Sequence, residues 1–154
     1  MKSKTLAAWL AFLAGPLGAH RFYLRGAGDW LAWLLPLPTL LGAYGVLRMG
    51  SLGQDDALSW VLVPVLGFTV AGCCLTAIVY GLMKPHEWNA RFNPGAPAEA
   101  KPGQTGWATI WAIVLSLMVG AAVLMASIAI SFQGYFQHQV EEGRQPHREP
   151  AHLR

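Results

Sequence analysis

The residues best placed to do chemistry lie together near the start of the chain, in Gly18-Ala19-His20-Arg21-Phe22-Tyr23-Leu24-Arg25-Gly26, with Asp29 three residues on. Arg21 and Arg25 are four apart, so one helical turn puts both on a single face. There they can grip phosphate oxygens, bidentately at Arg21. Phe22 and Tyr23 suit the headgroup level, where an aromatic ring acts as a wedge. Asp29 is the nearest acid to both arginines and can neutralise one of them. Gly18, Gly26 and Gly28 permit the chain to reverse. His20 has no nucleophile or acid beside it, and a lone imidazole of this kind serves a turn by hydrogen bonding more readily than it serves as a base.

The remaining candidates have ordinary explanations. Cys73 and Cys74 are adjacent and near the middle of an apolar run. A bond between neighbouring cysteines is strained, acylation favours juxtamembrane positions, and a soft metal needs more ligands. They read as small packing residues. His86, His138, His147 and His152 lack metal-ligand spacing. Asp55-Asp56 and Glu141-Glu142 are neighbours whose side chains diverge on a helix, which suits capping and solvation. With no nucleophile elbow, P-loop or dinucleotide fingerprint either, the expectation is no catalytic residue, no metal and no cofactor.

The elements that position these residues are membrane helices. Of 154 residues, 54% are apolar and 12% charged, against about 25% charged in a soluble domain. Mean hydropathy is +0.37. Ala57–Met83 and Trp107–Phe132 carry no formal charge over 27 and 26 residues, long enough to cross a bilayer. This excludes an ordinary soluble enzyme, a disordered tail and a disulfide-stapled secreted domain. The net charge of +3 comes from basic residues scattered over short polar segments, so nucleic acid is not an expected partner.

Four hydrophobic segments are expected. The first, Thr5–Ala19, is short for a span and begins after Lys2-Ser3-Lys4. It reads as retained rather than as a cleaved signal, because Leu17 stands where a cleavage site wants a small residue. Ala7, Ala11 and Gly15 give it a smooth face for close contact with another helix. Asp29 is a plausible N-cap for the second segment, Trp30–Leu47, where Pro36 and Pro38 predict a break at Leu35–Pro38. Such a break survives only if protein or water satisfies the freed carbonyls. Asp55 and Asp56 stand where an N-cap and first-turn acid of the third segment belong. The prolines and glycines of Lys84–Gly106 predict a long loop without a packed domain, and Gln133–Arg154 reads as a polar, frayed or disordered tail. Aromatic residues from Trp9 to Tyr135 gather at the segment ends as interfacial belts.

The stretch Gly18–Gly26, with Lys2-Ser3-Lys4 before it, resembles the TM2 domain family over about residues 1–50. Arg25 stands where that family usually has glycine, and Tyr44-Gly45-Val46-Leu47-Arg48 closes the second helix without the family's usual acid. The resemblance implies two membrane helices joined by a short turn, with no established catalytic activity.

The expected fold is an all-α integral membrane protein of two transmembrane hairpins: 1–50, and 51–132 with its loop 84–106. Four spans would put both chain ends on one side, with Lys2, Lys4, Arg48, Arg144, Arg148 and Arg154 facing Arg21, Arg25, Lys84, Arg91 and Lys101 across the membrane. That split carries no orientation bias. The expected role is a non-enzymatic scaffold or accessory subunit of a bacterial inner (plasma) membrane, packing on other membrane proteins or on itself through the Ala7/Ala11/Gly15 face. The alternatives are a lipid-headgroup-responsive protein acting through His20–Arg25, and a small channel or transporter.

Overall fold

The computed structural model describes residues 1–53 and 56–144, so Asp55, His147 and His152 lie outside the described residues. Among the described residues the regular elements are all helical: α1 Lys4–Ala14, a 3-10 turn Gly15–Leu17, α2 Ala19–Arg25, α3 Trp30–Leu34, α4 Pro36–Leu52, α5 Ala57–Leu82, α6 Pro85–Phe92, a 3-10 turn Lys101–Gly103, and α7 Trp107–Arg144. Three stretches are long and apolar enough to cross a membrane: Trp30–Leu52, Ala57–Leu82 and Lys101–Gln137.

The first apolar segment does not make a fourth crossing. α1 has 11 residues, about 16 Å of helix against a hydrocarbon core of about 30 Å. It starts beside the end of α5, where the Lys4 ammonium donates to the Met83 carbonyl at 2.9 Å. It ends at Gly15, packed against Cys73 near the middle of α5. Gly18 then takes a left-handed φ of 77°, and α2 climbs back until the Tyr23 hydroxyl meets the Ser3 amide at 2.8 Å. The expected N-terminal hairpin of two spans is thus a half-depth α1–α2 hairpin followed by one crossing. Gly15-Pro16-Leu17-Gly18 reverses the chain before it has length to cross.

The crossings pack through small residues. α5 and α7 are antiparallel, with Trp60 against Gly134, Gly67 against Ser127, Cys74 against Gly120 and Gly81 against Ile113. Each step is seven residues on both helices, the repeat of a left-handed helical seam, and each of the four contacts has a glycine on one side. Gly42 and Gly45 let α4 onto Leu66 and Leu62 in the same way. Between α3 and α4 the predicted break falls at Leu35. The Thr39 hydroxyl donates to the Leu35 and Pro16 carbonyls at 3.1 and 2.7 Å, which ties the break to the half-depth hairpin.

Two expectations for polar segments change. The 84–106 segment is packed, not bare loop. α6 seats Trp88 at full burial, and Asn89 Nδ2 donates to the Ala98 and Ala100 carbonyls at 2.9 and 3.1 Å. Helix α7 also continues through Gln133–Arg144, whereas residues 145–154 of the expected tail lie outside the described residues.

Candidate functional site

The site is built where the half-depth hairpin meets the top of the Trp30–Leu52 crossing. Gly18 makes it possible. A Cβ there would come within 2.4 Å of the Ala32 carbonyl oxygen, the acceptor that Pro36 leaves without its helical donor. Next to this contact α2 carries His20, Arg21 and Leu24 inward. Leu24 is buried against Ala7 and Trp88 in the aromatic cluster of Tyr80, Trp88 and Phe92.

Arg21 and Asp29 form a two-point clasp: Nε donates to Oδ2 at 2.7 Å and Nη2 to Oδ1 at 3.3 Å. Asp29 is the residue before α3, as expected, yet its carboxylate lacks a well-formed capping bond; Arg21 takes it instead. The hydrogen-bonded guanidinium holds this carboxyl below the usual range. Arg25 approaches the same oxygen only to 3.9 Å, with about half of its side chain exposed. Phe22 stands edge-on to Trp33, 5.1 Å between centroids. Tyr23 instead turns in toward Ser3, its hydroxyl accepting from the Ser3 amide. Gly26 has a φ of 79° with open space around it.

Beneath the clasp lies a cavity of about 290 Å³ lined by His20, Arg21, Leu35, Pro38, Phe68, Thr69, Gly72, Cys73 and Thr76. His20 is 3% exposed and its Nδ1 has no hydrogen-bond partner. A buried polar atom left unpaired costs about 1–3 kcal/mol, so this nitrogen marks the place where the site is unfinished. Thr69 and Thr76 donate back to the Val65 and Gly72 carbonyls at 2.7 and 2.8 Å, leaving their oxygens able to accept. The threonine oxygens can only accept, so they suit a hydroxyl-bearing group, while an anion finds its donor at Arg21. Among the described residues, no three His, Cys, Asp or Glu side chains gather as metal ligands would.

A second clasp closes the other end of the bundle. Arg48 donates from Nε and Nη2 to Asp56 at 2.6 and 3.0 Å. Asp56 is the N-cap of α5, as expected, accepting the Ser59 amide at 3.1 Å and the Ser59 hydroxyl at 2.5 Å. Arg48 and then Ser59 pull its carboxyl down to about 2. The acid absent from the end of the second helix is thus supplied by the start of the next.

The Ala7/Ala11/Gly15 face is spent inside the molecule. Ala7 and Ala11 are fully buried and Gly15 lies on Cys73, so this face is not open to a partner helix. Sequence reasoning missed several residues that hold the site. Lys2 Nζ donates to the Leu24 carbonyl at the end of α2, and Lys4 does the same at the end of α5 while also reaching Thr105 Oγ1 at 2.6 Å. Both act as cations at helix C-termini. Asn93 holds the Lys2 backbone from both of its side-chain atoms, at 2.5 and 3.0 Å. Asn89 and Asn93 are four apart after Pro85, a spacing that could have announced a helix with a polar working face.

No curated protein and no solved structure matches the chain. The model of the TM2 domain matches residues 1–52, a stretch that closes at the last residue of α4. The half-depth hairpin, the Arg21–Asp29 clasp and the first crossing all fall within the stretch that is similar to the TM2 domain, and the three long apolar helices make the chain a multi-pass membrane protein.

Proposed function

We propose that this chain is a non-enzymatic, lipid-responsive membrane protein in which the His20–Asp29 region takes up the anionic headgroup of a membrane lipid. The observation that carries this reading is the unpartnered Nδ1 of His20 beside Arg21 in a cavity under the hairpin. Arg21 already shares its charge with Asp29, and the half-exposed Arg25 supplies the cation that is not yet used. The scaffold reading loses its main support, because the small-residue face intended for partners is occupied internally.

The arrangement of crossings re-sorts the cations. Lys2, Lys4, Arg21, Arg25, Lys84, Arg91 and Lys101 gather at one end of the bundle. Arg48 and Arg144 stand at the other, with Arg148 and Arg154 following in the sequence. That excess supports a cytoplasmic placement of the hairpin end in a plasma membrane, where the leaflet is anionic. Helical crossings suit a bacterial inner membrane better than a barrel-forming outer one.

Native mass spectrometry of the full chain from phosphatidylglycerol-containing vesicles tests the reading. Phosphatidylglycerol should stay bound, and replacing Arg21 and Arg25 together by Gln should release it; equal retention by the double variant would remove the proposal. Reporter fusions after Gly28 and Gly103 should report cytoplasm, and one after Gln54 the opposite side.

A further inference from the structure

We propose that the groove between α5 and α7 is a binding site for one acyl chain of a glycerolipid, with the Ser116 hydroxyl donating to that chain's ester carbonyl. The groove backs onto the cavity under the hairpin, sharing Phe68 and Gly72 with it, but its polar group, Ser116, is not part of the His20–Asp29 region. The groove holds about 360 Å³ and is lined by small residues at its floor, among them Ala71, Gly72, Gly120 and Ala121, between walls that include Leu75 and Leu124.

Ser116 distinguishes it from an ordinary seam between helices. Hydroxyls in helix interiors normally return to the carbonyl four residues back, and Thr69, Thr76, Ser127 and Ser131 all do so at 2.7–2.8 Å. Ser116 lines the groove and its Oγ has neither a partner nor an open face, so the hydroxyl reaches an occupant by turning its χ1 toward the groove. Inside hydrocarbon such a group calls for an acceptor.

Register says what that acceptor is. The seven-residue pairing of Cys74 with Gly120 and Gly81 with Ile113 places Ser116 level with Ile78. That is one turn, about 6 Å, inside the end of α5 at Leu82. From Ser116 the groove runs to Leu124, a further 12 Å or so at 1.5 Å per residue. It therefore starts just under the interface and stops near the midplane, the course of one tail in one leaflet. Spread over that length, the volume gives a cross-section of roughly 30 Å², whereas a helix of about 10 Å diameter fills about 80 Å². A single chain fills such a groove, whereas a helix could only rest across its mouth.

The test uses the full chain in phosphatidylcholine vesicles containing a trace of phosphatidylcholine with a photoactivatable diazirine on one acyl chain. Crosslinks mapped by mass spectrometry should concentrate in Ala71–Ile78 and Leu117–Leu124 over the lipid-exposed Leu40 and Leu47 of α4. Ala121→Phe, which fills the groove from its exposed side, should reduce groove labelling about tenfold. Ser116→Ala should reduce it several-fold while leaving phosphatidylglycerol retention at Arg21 unchanged. Labelling spread evenly over α4, α5 and α7 would overturn the proposal. So would groove labelling indifferent to Ser116→Ala, or uptake of a photoactivatable isoprenoid quinone in preference to the acyl lipid.

Discussion

Two arginine–aspartate clasps, each bridging eight residues of sequence, stand at opposite ends of the bundle, and they are finished differently. At Arg48–Asp56 every neighbour contributes: Ser59 gives its amide and hydroxyl to the carboxylate, and the Tyr44 hydroxyl accepts from Arg48 at 3.4 Å. At Arg21–Asp29 the carboxylate lacks a well-formed capping bond, with the Leu31 amide a lesser influence than Arg21, Arg25 remains at 3.9 Å, and an imidazole nitrogen below is unpaired. A saturated clasp staples two helices together. An unsaturated one over a cavity has capacity left for something else. The same residue pair at the same spacing thus serves structure at one end and, on our reading, recognition at the other.

The largest effect expected from breaking this contrast comes from glycine. Gly18 and Gly53 both have left-handed φ values, 77° and 84°. Each flanks one clasp. Alanine costs about 1–2 kcal/mol at Gly18, whose ψ of 7° is left-handed helical, and about 1–3 kcal/mol at Gly53, whose ψ of −167° belongs to a region kept for glycine. Gly53 has open space, while a Cβ on Gly18 collides with the Ala32 carbonyl and adds about 1–3 kcal/mol of overpacking. Thermal unfolding in detergent should rank Gly18→Ala below Gly53→Ala, and Gly18→Ala alone should also lose bound phosphatidylglycerol. Equal melting temperatures would mean that the hairpin is not packed on α3 as described.

The next effect separates the two arginines. Arg21→Gln leaves the Asp29 carboxylate uncompensated beside the headgroup and should lower phosphatidylglycerol retention about tenfold, with a small change in melting temperature. Arg48→Gln should do the reverse, lowering the melting temperature by several degrees and leaving retention intact. If both variants behaved alike, the functional distinction between the clasps would be gone.

Much of the fold was legible because hydrocarbon imposes long uncharged runs. Ala57–Leu82 and Trp107 onward are apparent from charge alone, the break at Leu35 from two prolines, and the α5 cap from Asp56. The half-depth hairpin was not legible, since 15 apolar residues suit either a short span or a re-entrant turn. The deciding contacts, Gly15 on Cys73 and Gly18 on Ala32, are long-range. The packing of α6 was hidden for a different reason. Prolines and glycines report the absence of regular structure, and they are silent about Asn89 and Asn93 gathering loop carbonyls. The residues of the site were visible as a motif. Their environment was not, because the cavity walls come from α4 and α5, far along the chain.

Acid should sharpen the contrast less dramatically. The Asp56 carboxyl is held at about 2, below the ordinary value of about 3.9. A folded-state pKa below the unfolded one gives stability that is fully present above the unfolded value and is lost as the pH falls through the folded one. Melting temperature should therefore be level from pH 7 to about 5 and decline toward pH 2. In Asp56→Asn the starting value should be lower and this acid limb shallower. A wild-type decline already complete at pH 4 would contradict the clasp geometry.

The smallest effects test the idea of saturation itself. Ser59→Ala removes one of four hydrogen bonds converging on Asp56, and with the Ser59 amide and Arg48 still in place it should cost about 1 kcal/mol. Thr76→Val replaces a hydroxyl on the cavity wall whose own donor is already returned to Gly72. It should leave melting unchanged within about 0.5 kcal/mol and lower phosphatidylglycerol retention two- to threefold. The pairing of outcomes matters more than either size. A closed clasp loses stability when a donor is taken away and has no ligand to lose. An open one keeps its stability, because the missing partner was never part of the protein. If Thr76→Val destabilised the fold with no change in retention, the cavity would be a packing defect, and the two clasps would be equivalent staples.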